Sequence, residues 1–386
     1  MRPKTMEYFD KLIANSSVAL KDVKEQGRKV VGHYCVFSPV ELFEATGALP
    51  VGLCATKQEP IADGEKVLPR NLCPLIKSSY GFAATGKCPY FHFADVIVGE
   101  TTCDGKKKMY ELMGKMKPMI VLDIPNSSTY EHRKEHWVGE LHRLKKYLEE
   151  KLSVEITEQT LRDTIKMYNE ERRNVMALVS LNKNQPAPLS GIDLLKVLWG
   201  RSFQINREEF KENLLALIEE VKQIVADRKN DDFSQETLKK PRILVTGSPT
   251  GVGQEKVMQI IEEAGGQVIL QEACSGIKGF VDLIDESQDP YQALAEKYMN
   301  IPCSCLSPND GRMELTSRLC KEYDIDGVVD ITLQACHTYN IESYTLKEYL
   351  REHGDIPLLQ IETDYSQADN QQIKLRIDTF LEMLQE

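Results

Sequence analysis

Short, nearly uninterrupted apolar runs alternate with segments of helical periodicity at both ends of this chain. After a polar, helical lead, Lys29-Val30-Val31-Gly32-His33-Tyr34-Cys35 reads as a buried strand. Pro39-Val40-Glu41-Leu42-Phe43-Glu44-Ala45 then reads as a helix opening with proline and closed by Gly47. Leu49-Pro50-Val51-Gly52-Leu53 starts the next strand, and Ser78 to Ala84 is helical in pattern. Asp95-Val96-Ile97-Val98-Gly99-Glu100 is a strand, Asp104 to Met113 begins a helix, and Pro118-Met119-Ile120-Val121-Leu122-Asp123-Ile124 is a further strand. Continuous apolar strands alternating with helices predict a mainly parallel sheet covered on both faces.

From about Glu131 to Ala226 the pattern becomes helical, interrupted by the polar, proline-containing stretch Asn182 to Pro188. Polar Lys229-Asn230-Asp231-Asp232 and the residues up to Lys240 read as a linker, and strand-helix alternation resumes at Arg242-Ile243-Leu244-Val245-Thr246. Gln267-Val268-Ile269-Leu270, Gly327-Val328-Val329-Asp330-Ile331-Thr332-Leu333 and Pro357-Leu358-Leu359-Gln360-Ile361 are the further strands, and Asn370 to Gln385 suits a terminal helix. The fold expected is α/β, with two Rossmann-like or flavodoxin-like domains of mainly parallel sheet. An N-terminal domain over 1–150, a helical bridging region and linker over 151–235, and a C-terminal domain over 236–386 account for a chain of 386 residues. Open sheets of this kind hold ligands in the crevice at their strand ends, so two facing domains place a site between them.

Ten cysteines change this picture from a scaffold to a candidate metal protein. The chain start lacks a signal-peptide pattern, and no run has the roughly 18 apolar residues a membrane span needs, so a cytoplasmic protein without membrane contact is expected. In a reducing compartment thiols serve as metal ligands, nucleophiles or core filling, not disulfides. A formal charge of -11 disfavours a nucleic-acid binder, which needs a clustered basic surface. Lys106-Lys107-Lys108 is the one compact basic run, and a solvated helix start explains it equally well.

One constellation contains Cys73 and Cys88, each followed by proline, and Cys103 in Thr101-Thr102-Cys103-Asp104-Gly105. Cys103 follows an apolar strand and precedes a helix, whose first amides favour thiolate or sulfide charge. A second contains Cys274, the pair Cys303 and Cys305, and Cys336 before His337. Neighbouring thiolates suit an iron-sulfur cluster or another soft metal, whereas no Cys-x-x-Cys knuckle supports structural zinc. In an extended Cys-x-Cys both side chains share a face, so one of Cys303 and Cys305 can be a bystander. The bland alternative is that any of these cysteines merely packs, as expected for Cys35, Cys54 and Cys320. His337 is a candidate catalytic proton donor or a hydrogen-bond donor to a cluster, against the alternative of a histidine satisfied by its surroundings. Glu342, Glu362, Asp364 and Tyr365 follow similar strand ends, with caps and ordinary hydrogen bonds as their plain reading. Gly247-Ser248-Pro249-Thr250-Gly251-Val252-Gly253 can face an anion but lacks the Gly-Lys-Ser/Thr ending of a P-loop, so no ATP site is expected.

Leu72-Cys73-Pro74-Leu75-Ile76-Lys77-Ser78-Ser79, Thr102-Cys103-Asp104-Gly105-Lys106-Lys107-Lys108 and Ala335-Cys336-His337-Thr338-Tyr339-Asn340 resemble the 2-hydroxyacyl-CoA dehydratase D-component family, which includes benzoyl-CoA reductase-like subunits. The resemblance implies paired α/β domains holding a 4Fe-4S cluster on three cysteines, here Cys73, Cys103 and Cys336. The extra Cys88, Cys274, Cys303 and Cys305 make the chain look most similar to the double-cubane proteins of that family, whose 8Fe-9S centre joins two cubanes through a sulfide. Cys88 and Cys274, with Cys303 or Cys305, would then hold the second cubane. What this implies is an enzyme: a homodimeric reductase component taking low-potential electrons from a separate iron-sulfur ATPase and reducing a small molecule. The alternatives are a dehydratase subunit with a single 4Fe-4S cluster, and an electron-transfer cluster protein without its own substrate.

Overall fold

The computed structural model describes residues 2–228 and 240–385, so the expected linker falls, except for Lys240, outside the described residues. In the first half, β1 (Val30–His33), β2 (Leu49–Gly52), β3 (Val96–Glu100) and β4 (Met119–Leu122) pair in parallel in the order β2-β1-β3-β4. In the second, β5 (Arg242–Gly247), β6 (Gln267–Glu272), β7 (Gly327–Leu333) and β8 (Leu358–Thr363) repeat that arrangement as β6-β5-β7-β8. The expected α/β class with two parallel sheets is the one found.

Both faces of each sheet are covered, which is why the strands read as apolar runs without alternation. Val31, Val96 and Val98 enter one core while Val30 and Ile97 enter another on the opposite face. Ile243, Val245 and Val329 likewise separate from Leu244 and Val328. In both sheets the strand order reverses beside the first strand, between β1 and β3 and between β5 and β7. These switch points leave a crevice at the strands' carboxyl ends, because the helices that follow neighbouring strands leave toward opposite faces.

Three long helices join the halves: Arg133–Leu152, Glu158–Ser180 and Arg207–Arg228. Glu158–Ser180 buries Leu161, Ile165 and Tyr168 on the first sheet's core and Val175, Leu178 and Val179 on the second's, so one rigid rod touches both. The polar interruption expected at Asn182 to Pro188 is locked in place. The buried Asn182 amide donates to the carbonyls of Leu189 and Ile269, both at 3.0 Å.

One segment crosses between the halves. Helix Pro290–Met299 lies between β6 and β7 in sequence, yet its Ala293, Leu294 and Tyr298 pack in the first sheet's core. The loop that follows stays there, with Ser307 N–H donating to Asn126 O at 2.9 Å and Asn126 Nδ2 donating to Cys305 O at 3.0 Å. Among the described residues no helix is long and apolar enough to cross a membrane.

Glu262, on helix Lys256–Glu263, accepts the backbone N–H of Gly191 at 2.7 Å and so holds the start of helix Gly191–Gly200. Burial, reinforced by Asp193, pushes its carboxyl up to about 7 from an ordinary 4.5. The folded chain therefore binds this proton more tightly than the unfolded chain does. The favourable contribution is complete below about pH 4.5 and is lost as pH rises to about 7. Glu262→Gln keeps an acceptor for Gly191 and is expected to flatten this part of the curve. Melting temperatures at pH 5 and pH 8 measure the effect, and an unchanged difference between them would refute this role.

Candidate metal centre

Seven cysteines line one cavity of about 580 Å³ between the carboxyl ends of the two sheets: Cys35, Cys73, Cys103, Cys274, Cys303, Cys305 and Cys336. Cys35 follows β1, Cys103 follows β3, Cys274 follows β6 and Cys336 follows β7, so four of them leave strand ends. Cys73, Cys103 and Cys336 also occupy the N-cap positions of helices Pro74–Thr85, Asp104–Met113 and His337–Gly354. Free helix amides and the positive dipole end at these positions favour thiolate and sulfide charge.

Two local features set these positions. A Cβ on Gly105 would meet Ile76 Cδ1 at 2.7 Å and Leu72 Cδ1 at 3.0 Å, so glycine lets the helix after Cys103 approach the turn that carries Cys73. Ala335 has φ 59°, a left-handed conformation unusual for alanine, which turns the chain sharply between β7 and Cys336.

The seven thiols fall into two sets. Burial pushes Cys73 up to about 12, with Cys336 and Cys103 adding to the effect, and Cys336 is raised by burial and by Cys103. In the other set the Cys303 sulfur is held well below the ordinary thiol range by hydrogen bonds from Cys274 and Cys305, helped by Lys278. Cys274 and Cys305 are pushed up in return, and Cys35 is raised by burial with Cys303 contributing.

Cationic side chains stand behind the second set. Lys278, wholly buried, pairs with Glu272 at 3.1 Å and donates to the Tyr339 hydroxyl at 3.0 Å. Arg312, also wholly buried, pairs with Asp330 at 2.9 Å, Glu342 at 2.7 Å and Glu272 at 3.7 Å. In the basic run, Lys107 and Lys108 are exposed and pair with Asp104 and Glu111, as a solvated helix start predicts. Lys106 instead turns inward, donates to Tyr34 O at 3.2 Å and lines the cavity.

Cys88, expected among the ligands, does not line the cavity. It caps helix Pro89–Phe93, its sulfur accepting Phe91 N–H at 3.4 Å. The 12-residue helix Pro74–Thr85 separates it from Cys73, a rise of about 18 Å that carries it away. Cys35, expected to pack, lines the cavity because β1 ends at His33 instead of running on to residue 35. The other two packing expectations differ in detail: Cys320 is buried in the second sheet's core, while Cys54 donates its thiol to Tyr34 O at 2.7 Å. His337 is exposed on the cavity lining. Glu342 accepts from Asn309 and Arg312, Glu362 from Asn340, and Asp364 from Ser366 N–H, as ordinary caps and hydrogen bonds do.

Tyr365 departs from the plain reading. Its hydroxyl is buried without a hydrogen-bond partner and lies in the electrostatic reach of Cys54, Cys73 and Cys336. Thr102 Oγ1, next to Cys103, is also buried without a partner. Among the described residues no three Cys, His, Asp or Glu side chains are arranged to hold one metal ion. A donor set made of sulfur, unpartnered hydroxyls and helix amides around a large cavity instead fits a polynuclear cluster rich in sulfide.

The whole chain is similar to known dehydratase and reductase subunits. It is 46% identical over 383 residues, covering 99% of this chain and 98% of the other, to the Escherichia coli (strain K12) protein named "Putative dehydratase subunit YjiM". It is 23% identical to the (R)-phenyllactyl-CoA dehydratase beta subunit of Clostridium sporogenes, covering 95% of this chain and 94% of that one. It is 20% identical to a benzoyl-CoA reductase subunit of Thauera aromatica, over 93% of this chain and 92% of that one. Among solved structures, the manganese-bound FpvC from Pseudomonas aeruginosa aligns over 93% of this chain and 98% of its own at 12% identity. Its TM-score to this chain is 0.21. Residues 35–384 match the family described as 2-hydroxyglutaryl-CoA dehydratase, D-component, and the chain belongs to that family.

Proposed function

We propose that this chain is an iron-sulfur reductase component whose cysteine-lined cavity carries an 8Fe-9S double-cubane cluster. The observation that supports it is that seven cysteines line one cavity, where a single cubane on three cysteines leaves four over. Cys73, Cys103 and Cys336 would hold one half. Cys35 and Cys274, with Cys303 or Cys305, would hold the other, so Cys35 takes the place first given to Cys88. When bound, such a cluster stores and releases single electrons at low potential.

The chain's own residues provide its environment. Helix amides at Cys73, Cys103 and Cys336 and the Lys106 and Lys278 ammonium groups offset negative charge that burial makes costly. Tyr365 and Thr102 offer hydroxyl protons to sulfide. His337, exposed beside Cys336, is placed to carry a proton in from solvent. In this reading a separate ATP-hydrolysing iron-sulfur activator delivers the electrons, the component works as a homodimer in the cytoplasm, and the substrate is a small molecule.

The names of the relatives favour a second reading, a dehydratase subunit with one 4Fe-4S cluster held by Cys73, Cys103 and Cys336. Iron and acid-labile sulfide in anaerobically purified protein separate the two. About eight iron atoms per chain are expected for the double cubane, and about four would establish the dehydratase-type centre instead.

A further inference from the structure

A smaller cavity of about 110 Å³ lies behind the large one and shares Cys35, Cys274 and Lys106 with its wall. Arg172, Arg201 and Lys297 line it as well, and no carboxylate does. The carboxylates that balance the two arginines sit outside the lining: Glu41 pairs with Arg172, and Glu171 pairs with Arg201. Lys297 is buried and has no ion-pair partner among the described residues, its ammonium donating only to Gly279 O at 3.1 Å. The Nδ1 of His33, also on the lining, is buried without a hydrogen-bond partner.

Like charges held this close in an aromatic shell repel one another. Trp199, Phe203, Phe280 and Tyr298 supply that shell and keep the local dielectric low. The strain shows on Lys297, whose ammonium is pulled down to about 7, first by burial and then by Arg172, with Arg201 adding and Glu41 and Asp282 opposing. A negative charge placed among these groups relieves the repulsion and supplies a charge-assisted partner for Lys297. Size narrows the class. A cavity of about 150 Å³ takes up benzene, so this smaller space of about 110 Å³ accepts a molecule of at most a few non-hydrogen atoms.

We propose that this cavity binds a small anion of a few non-hydrogen atoms against Lys297 and Arg172, on the side of the metal centre formed by Cys35 and Cys274. The inference deepens the reductase reading by naming where its small substrate sits and what charge it carries, and as a substrate site it rests on that reading. An acyl-CoA is far too large for this space.

Calorimetric titration of the anaerobic, cluster-loaded protein with sodium formate and with formamide tests it, because the two probes match in size and differ in charge. Formate is expected to bind and formamide to give no heat over the same concentrations. Lys297→Gln is expected to weaken formate at least about tenfold, the loss of one charge-assisted contact. Formamide binding as tightly as formate, or an unchanged affinity in Lys297→Gln at full iron content, overturns the proposal. The wild-type comparison decides even if that variant does not fold. About eight iron atoms with no formate binding would sink this inference alone. About four with formate bound would sink the reductase reading and leave the anion site standing.

Discussion

Alanine at Cys35 is expected to cost the protein about half of its iron, while alanine at Cys88 leaves the iron content unchanged. The two cysteines exchange the roles that their sequence surroundings suggest. Cys35 stands on the cavity wall just past β1, beside the reversal in strand order, and approaches Cys303. Cys88 spends its sulfur on capping a five-residue helix. Redundancy does not rescue the loss, because Cys303 and Cys305 come from one loop and already contact each other, whereas Cys35 approaches from the first sheet. Cys305→Ala is accordingly expected to cost less iron than Cys35→Ala. Iron and sulfide assays on the three variants, with absorbance in the visible range, measure this. Retained iron in Cys35→Ala together with lost iron in Cys88→Ala would restore the ligand set read from the sequence.

Replacing Arg312 by methionine is expected to destabilise the fold by about 3–5 kcal/mol, the usual result of removing one partner from a buried ion pair. Arg312 is wholly buried and is shared by Glu272 at the end of β6, Asp330 on β7 and Glu342 on helix His337–Gly354. Methionine fills much of the volume but leaves three carboxyl groups with one cation, Lys278, near Glu272. Protonation of a carboxyl limits the damage, so the penalty is expected to be smaller at acidic pH. Because Glu272 is two residues from Cys274, the second set of cysteines is expected to lose iron before the first. Denaturant midpoints for Arg312→Met and Arg312→Lys measure the first effect. A methionine variant within about 1 kcal/mol of the parent would show that the network is not cooperative.

The sequence by itself determined the class of fold and marked most of the cysteines that line the cavity. Apolar runs such as Val96-Ile97-Val98 are legible as doubly covered strands, because both faces of a parallel sheet exclude water. Cys73, Cys103 and Cys336 are legible because each sits where an apolar strand or a Cys-Pro step hands over to a helix, and those signals are local. Tertiary structure decided the rest. Whether β1 ends at His33 or two residues later separates a core cysteine from a cavity cysteine, and apolar pattern alone does not resolve so short a difference. The roles of Lys278 and Arg312 arise from carboxylates on other elements, so no local spacing announces them. Helix Pro290–Met299 carries Cys303 and Cys305 toward the first sheet although its sequence neighbours build the second. Periodicity records which face of an element avoids water. Which faces and strand ends then meet is set by sheet order and long-range packing, and that meeting assembles the seven cysteines.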